Sequence, residues 1–174
     1  MYRKILVPVD GSETSNYALD HAIRLAQHCK GNDNTASRNI EVIILYVIPE
    51  MPISLGLGLE SPIRSPNTGE LISFSEYVME MYELVKINSD KKLTSMKNKY
   101  EYSGIPIKNK VISESKGSIV DNILKYADEE KIDLIIIGNI GLGGLSKVKA
   151  LGSVSRGVAE KTMCPILIVH LPIS

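Results

Sequence analysis

The stretch DLIIIGNIGLGGLSKVKALGS, residues 133–153, places a strongly apolar run directly before a glycine-rich run. Residues 133–138 form the most uniformly apolar run of the chain, which predicts a strand buried on both faces at the centre of a sheet. Residues 138–153 then hold five of the chain's thirteen glycines, two lysines and no acidic residue. Such a run is either a flexible connector or a backbone cradle for phosphate. A helix is predicted to follow it.

Outward from this stretch, four more apolar runs have the character of strands, and helical patterns separate them. The strands are predicted at residues 4–9, 40–48, 107–113, 133–138 and 164–170. The helices are predicted at about residues 12–29, 73–102, 119–127 and 153–162. This strict alternation predicts an α/β fold with an open five-stranded parallel sheet and helices on both faces. Ligands of such sheets bind outside the carboxyl ends of the strands, where the strand order reverses.

The length of 174 residues fits one domain, residues 1–174. Within it, residues 49–73 hold four of the eight prolines and three glycines, which predicts one long loop. The loop is more apolar than a solvated linker needs, so we expect it to pack over a site or against a partner.

Composition argues against several classes of partner. Twenty basic and twenty acidic side chains cancel, so no global field attracts nucleic acid or a membrane surface. No apolar stretch approaches the roughly 18 residues that a spanning helix needs. The spacing of Cys29 and Cys164 fits no metal or redox motif. We interpret both as small buried hydrophobes in a reducing cytoplasm.

The glycine run fits neither of two familiar phosphate motifs. A Walker A loop would need Lys and Ser or Thr after Gly143, where Gly144 and Leu145 stand instead. The GxGxxG fingerprint is also missed, because Ser146 follows where the third glycine belongs. The physics of anion binding remains available, since glycines let backbone N–H groups converge. Both interpretations of the run therefore stay open on these residues alone.

The chain as a whole resembles the universal stress proteins, a family with the adenine-nucleotide α-hydrolase-like fold. The resemblance rests on ILVPVDGSETSNYALDHAIRLA at residues 5–26, on ILYVI at 44–48 and on residues 133–169. Nucleotide-binding members carry Gly, two residues, Gly, nine residues, Gly, and then Ser or Thr. Gly138, Gly141, Gly152 and Ser153 fit this pattern, with ten residues rather than nine in the joining segment 142–151. The resemblance implies the strand order 3-2-1-4-5.

The resemblance also implies a site for ATP or AMP, with Mg²⁺ as a further candidate ligand. Residues after the first two strands would border the adenosine, and the glycine run would approach the ribose and hold the phosphates. The implied binding residues are Pro8, Val9, Asp10, Val47, Gly138, Gly141, Gly152, Ser153 and Val154. For Asp10, an alternative is a purely local role, in which its carboxylate accepts backbone N–H groups of the turn.

Catalysis has little support in the sequence. The three histidines lie within the first helix, at His21 and His28, and at the end of the last strand, at His170. No general base is therefore evident beside the glycine run. We expect a nucleotide-dependent regulatory or stress-response protein. A stress-protein scaffold that binds no nucleotide and a slow ATPase are the alternatives.

The last strand predicts assembly. Residues 164–171 end the chain on an apolar strand, which lies at a sheet edge in this topology, and such edges are usually covered or paired. The simple solution is a homodimer in which this strand pairs antiparallel with its mate. The alternative is an edge that ends at Pro172 and is covered by the 49–73 loop.

Overall fold

A computed structural model describes residues 2–31, 40–50, 62–113, 117–142 and 151–172 of the chain. The strands are β1 (Lys4–Pro8), β2 (Glu41–Val47), β3 (Ile63–Arg64), β4 (Leu71–Ile72), β5 (Ile107–Ile112), β6 (Leu134–Gly138) and β7 (Ile166–Val169). The helices are α1 (Glu13–Gly31), α2 (Phe74–Asn98), α3 (Ile119–Glu129) and α4 (Ser153–Lys161), with a 3-10 turn at Glu101–Ser103.

Five strands form one parallel sheet in the order β5-β2-β1-β6-β7. The predicted order 3-2-1-4-5 is confirmed once β3 and β4, which the sequence analysis does not contain, are left out of the numbering. The neighbouring strands β1 and β6 are mostly apolar, and helices cover the sheet on both faces. Their burial is nearly complete, from Ile5 to Pro8 and from Leu134 to Gly138.

Each face of the sheet has its own core. Alternate residues of β1, β2 and β6, such as Val7, Ile44 and Ile136, pack against α1 and the second half of α2. The residues between them, such as Leu6 and Ile135, pack against α3 and α4. Because α1 starts where β1 ends and α4 starts beyond the end of β6, both helices present their N-termini at the carboxyl edge of the sheet. This edge is where a ligand site is expected.

The segment predicted as a long loop contains structure in its described part. Residues 62–72 include the short antiparallel hairpin of β3 and β4. Its turn follows local chemistry, because the Ser65 hydroxyl accepts the N–H groups of Asn67 and Thr68 and Gly69 takes a φ of +76°. Ser65 also donates to Glu80 on α2 at 2.6 Å, which ties the hairpin to that helix. Residues 51–61 lie outside the described residues.

Two further expectations can be compared with the structure. Cys29 and Cys164, which the sequence predicts as small buried hydrophobes, are free thiols. Each is partly buried and packs against one of the two cores. Within the described ranges, no helix is long and apolar enough to cross a membrane.

Candidate functional site

A cavity of about 410 Å³ opens at the carboxyl ends of β1, β2 and β6. Its walls come from these strand ends and from the first turns of α1, α3 and α4. All the residues that the sequence analysis assigns to binding line it, namely Pro8, Val9, Asp10, Val47, Gly138, Gly141, Gly152, Ser153 and Val154. The fold thus brings together residues that are up to 146 positions apart (from 8 to 154), although their contacts with a ligand stay a prediction.

Several residues that line the cavity are not predicted from the sequence. They are Ser12, Ser15, Leu45, Tyr46, Pro49, Ile119, Ile123, Ile137, Ile140, Leu142 and Ser155. Ile119 and Ile123 belong to the apolar side of α3, which the sequence predicts only as a surface packed on the sheet. Their position at the cavity follows from the register of β5 beside β2, since α3 begins just beyond the end of β5. Lys147 and Lys149, the two lysines of the glycine run, lie outside the described residues.

Asp10 lines the cavity, and both of its carboxylate oxygens accept backbone hydrogen bonds. Ser12 N–H donates to Oδ1 at 2.9 Å, and Leu142 N–H donates to Oδ2 at 2.8 Å. Burial alone would raise the pKa of Asp10, but the hydrogen bonds from Ser12, Leu142 and Ser15 outweigh it and hold the pKa below its ordinary value. The carboxylate is therefore ionised at neutral pH.

The first two glycines of the run are required by neighbours within the chain. A Cβ on Gly138 would lie 2.9 Å from the carbonyl carbon of Thr14, which means that the first turn of α1 packs directly on this position. A Cβ on Gly141 would collide with Oδ2 of Asp10. The Thr14 hydroxyl also donates to the Ile140 carbonyl. The start of the glycine run is thus held against the β1–α1 turn.

The third glycine precedes α4. Gly152 N–H donates to the Asn139 carbonyl at 2.7 Å, and the Ser155 hydroxyl donates to the same carbonyl at 2.7 Å. These bonds attach the start of α4 to the end of β6. With a φ of −64°, Gly152 has no conformational need to be glycine, and a Cβ there would come no closer than 3.4 Å to another atom.

The N-terminus of α4 differs from those of the other three helices. In α1, α2 and α3 a serine hydroxyl, from Ser12, Ser73 and Ser118 respectively, accepts an N–H of the first turn. Each of these helices also carries an acidic residue in its first turn. The N-cap of α4 is Gly152, which makes no side-chain cap hydrogen bond, and its first turn has no acidic residue. The N–H groups and the positive dipole end of α4 therefore face the cavity without an anion from α4 itself.

The fold and the site together define a doubly wound α/β protein with a cavity at the point where the strand order reverses. A model of the universal stress protein family matches residues 1–170, and the chain belongs to this family. It is 31% identical over 172 residues to universal stress protein MJ0531 of Methanocaldococcus jannaschii, covering 99% of this chain and 84% of that protein. It is also 31% identical over 170 residues to universal stress protein YxiE of Bacillus subtilis, covering 98% and 100%.

Solved structures have the same architecture. The structure of MJ0577 from Methanocaldococcus jannaschii matches with a TM-score of 0.72 at 29% identity, covering 100% of this chain and 99% of that one. A universal stress protein in complex with cAMP matches with a TM-score of 0.59 at 24% identity, over 97% of each chain. The Archaeoglobus fulgidus protein in complex with dAMP matches with a TM-score of 0.55 at 18% identity, over 96% and 97%. The last two likenesses establish the fold.

Proposed function

We propose that this protein binds an adenine nucleotide, ATP or AMP, in the cavity at the carboxyl ends of β1, β2 and β6, and that it acts as a nucleotide-dependent regulatory protein of the cytoplasm. The observation that carries the proposal is the N-terminus of α4. Each of the other three helices has an acidic residue in its first turn and a capping serine just before it. The N-terminus of α4 faces the cavity with neither. A phosphate group is the ligand chemistry that such a helix end favours.

The charges around the cavity support one orientation of the nucleotide. Asp10 puts a negative charge on the wall formed by β1, and the helix dipole puts partial positive charge on the wall formed by α4. The phosphates would therefore bind at Ser153 and Val154, and the nucleoside would extend toward Val47. The wall on that side is apolar, with Ile119 and Ile123 beside the β2 end, which suits a flat base. Two proteins of the same fold bind cAMP and dAMP, so adenine is the base to test first.

The volume of the cavity fits this class of ligand. Small-molecule sites typically enclose roughly 300–1,000 Å³, and the cavity has about 410 Å³. It is of the right order for a nucleoside with a phosphate. In the described residues no group of three or more His, Cys, Asp or Glu side chains could hold a metal ion. A Mg²⁺ ion that accompanies ATP would be bound by the phosphate oxygens of the nucleotide and would keep several of its water ligands.

The described lining residues favour binding over fast turnover. Asp10 is the one carboxylate among them, and none of them is a His, Cys, Lys or Arg. The two oxygens of Asp10 already accept backbone N–H groups. A general base needs a free lone pair directed at the attacking water and a pKa close to the working pH. Asp10 has a pKa below the ordinary aspartate value, so it is a weak base. We expect slow ATP hydrolysis at most.

Calorimetric titration of the purified protein tests the proposal. ATP and AMP should bind, and adenosine should bind more weakly because it lacks the phosphate that α4 would hold. As a second measurement, the protein is denatured after gentle purification, and the supernatant is assayed for adenine nucleotide. The absence of heat and of thermal stabilisation with millimolar ATP and Mg²⁺ would reject nucleotide binding. Equal affinity for adenosine and AMP would reject the role of α4.

Assembly into a homodimer through the last strand is a further part of the proposal. β7 is at the end of the sheet and pairs with β6 on one side. Ile166, Leu167 and Ile168 are all incompletely buried, and Leu167 is 42% exposed. An apolar edge of this kind is protected when it pairs with the same strand of a second copy. Light scattering at micromolar concentration should return the mass of a dimer, and a monomer mass would reject the pairing. A dimer that binds no nucleotide would instead identify the protein as a scaffold.

A further inference from the structure

We propose that Asp10 serves the nucleotide site as a positioning residue, whose carboxylate holds the start of the glycine run in place, rather than as a direct contact of the ribose. The inference rests on the proposed function and refines it. The family resemblance implies that Asp10 contacts the ligand, and a local role in the turn is the alternative. In the structure Asp10 accepts both a local hydrogen bond, from Ser12, and one from Leu142, which is 132 positions away in the chain.

The carboxylate joins two parts of the cavity wall that are 132 positions apart in the chain. Oδ1 accepts Ser12 N–H at 2.9 Å, where the turn enters α1. Oδ2 accepts Leu142 N–H at 2.8 Å, at the start of the glycine run. We call this pair of hydrogen bonds the Asp10 bridge. It connects the β1–α1 turn to the residues that follow β6, and both Asp10 and Leu142 line the cavity.

The neighbouring residues are built around this bridge. Gly141 leaves the space that Oδ2 occupies, because any Cβ at this position would collide with the carboxylate. The side chain of Leu142 is 71% exposed, so packing contributes little to holding Leu142. Its N–H bond to Asp10 therefore acts together with the bond from the Thr14 hydroxyl to the Ile140 carbonyl in setting where the backbone of the run leaves β6. A charged acceptor suits this task, since hydrogen bonds to ionised groups are about twice as strong as neutral ones.

The bridge explains how Asp10 could matter to a ligand without touching it. If the Leu142 N–H is released, the backbone at Gly141 is free to shift, and the cavity wall between β1 and α4 loses its shape. Misplaced walls weaken binding of every ligand that fills the cavity, whatever groups its sugar carries. A direct contact between Asp10 and ribose hydroxyls predicts something different, namely a loss that depends on those hydroxyls.

The chain offers a matched control for the bridge. Asp133 stands at the opposite end of β1, where its Oδ2 accepts the N–H groups of Arg3 and Lys4 at 2.8 and 2.9 Å. Asp133→Asn therefore disturbs the same kind of carboxylate-to-backbone bonding, but away from the cavity. Asp10→Asn and Asp133→Asn should both remain folded, as judged by circular dichroism, and both should melt at lower temperature.

The first experiment compares ATP with 2′,3′-dideoxy-ATP in calorimetric titrations of the wild type and both variants. Asp10→Asn should weaken both ligands by the same factor, roughly tenfold or more for one lost hydrogen bond to a charged group. Asp133→Asn should bind both like the wild type. A loss in Asp10→Asn that is confined to ATP would overturn the proposal in favour of a direct ribose contact, as would unchanged affinity for both.

The second experiment needs no nucleotide, so it separates failure of this inference from failure of the proposed function. Amide hydrogen exchange, followed residue by residue, should show Leu142 protected in the wild type, unprotected in Asp10→Asn and still protected in Asp133→Asn. An equally protected Leu142 N–H in Asp10→Asn would overturn the bridge even if ATP binds well. Conversely, loss of protection in a protein that binds no nucleotide would retain the bridge and reject the function.

Discussion

A negative charge at the start of α4 should stabilise the protein and weaken phosphate binding at the same time. Ser153 is the first residue of α4 and is exposed, so an aspartate there would be solvated. Acidic residues in the first turn of a helix typically contribute about 0.3–1 kcal/mol through the helix dipole. For a protein of this size, Ser153→Asp should raise the melting temperature by roughly 1–3 °C.

The same carboxylate would repel a phosphate bound at the α4 N–H groups. A carboxylate on the first residue of α4 and a phosphate on the N–H groups of the same turn would be on the order of 5 Å apart, within about the rise of one helical turn. At an effective dielectric constant of about 20 the repulsion between two unit charges at this distance is about 3 kcal/mol. Because Ser153 is exposed, water should reduce this by up to about half. Affinity for AMP or ATP should therefore fall by roughly 10- to 100-fold.

The assay pairs thermal denaturation with calorimetric titration of ATP, AMP and adenosine. Ser153→Asn keeps the size of the new side chain without its charge and should bind AMP nearly as the wild type does. Ser75→Asp adds the same charge to the first turn of α2, away from the residues that line the cavity, and should leave all affinities unchanged. In Ser153→Asp, adenosine binding should persist while AMP binding falls. AMP affinity equal to that of the wild type would refute the reasoning, because the phosphate would then lie elsewhere.

Three further outcomes are expected. Gly138→Ala should destabilise the protein by about 1–3 kcal/mol, because the new Cβ would press on backbone atoms of α1 at 2.9 Å. Gly152→Ala should change the melting temperature little. Equal losses of stability in the two variants would contradict the different roles of these glycines. The pKa values of Asp10 and Asp133 lie below the ordinary 3.8, so both contribute stability above that pH and lose it as the pH falls through their folded-state values. Urea unfolding should accordingly show a smaller loss of stability between about pH 5 and pH 3 in either Asp→Asn variant than in the wild type, and parallel losses would argue against it. Leu167→Lys should convert the proposed dimer to a monomer in light scattering while leaving the melting curve cooperative, and an unchanged mass would exclude β7 as the interface.

The sheet is predictable from the sequence because the composition of its strands identifies them. A parallel strand covered on both faces is a short, uniformly apolar run, and β6 satisfies this description along its whole length and β1 from Ile5 onward. The hairpin of β3 and β4 is not predicted from the sequence, because a strand of two residues is too short to show an alternation of apolar and polar side chains. Its signal was turn chemistry, in the run from Ser65 to Gly69.

The members of the site are predictable for a different reason and to a smaller extent. Their positions follow from the rule that the carboxyl ends of parallel strands meet, together with the glycine spacing. The neighbours of each residue do not follow, since they depend on contacts across more than a hundred positions. Asp10 illustrates the limit, because its bond to Ser12 is local, whereas its bond to Leu142 appears only once β1 and β6 are adjacent.

The positions of the three glycines are explained better by the contacts that they make within the cavity wall than by a close approach of each glycine to a phosphate. Gly138 makes room for the backbone of α1, and Gly141 makes room for Asp10. Gly152 leaves α4 without a side-chain cap, and its N–H is bonded to Asn139. The start of the run is therefore held by the β1–α1 turn, and its other end is held separately by the end of β6. Because neither attachment depends on the number of residues between them, the one extra residue in the joining segment need not displace the start of the run or the N-terminus of α4.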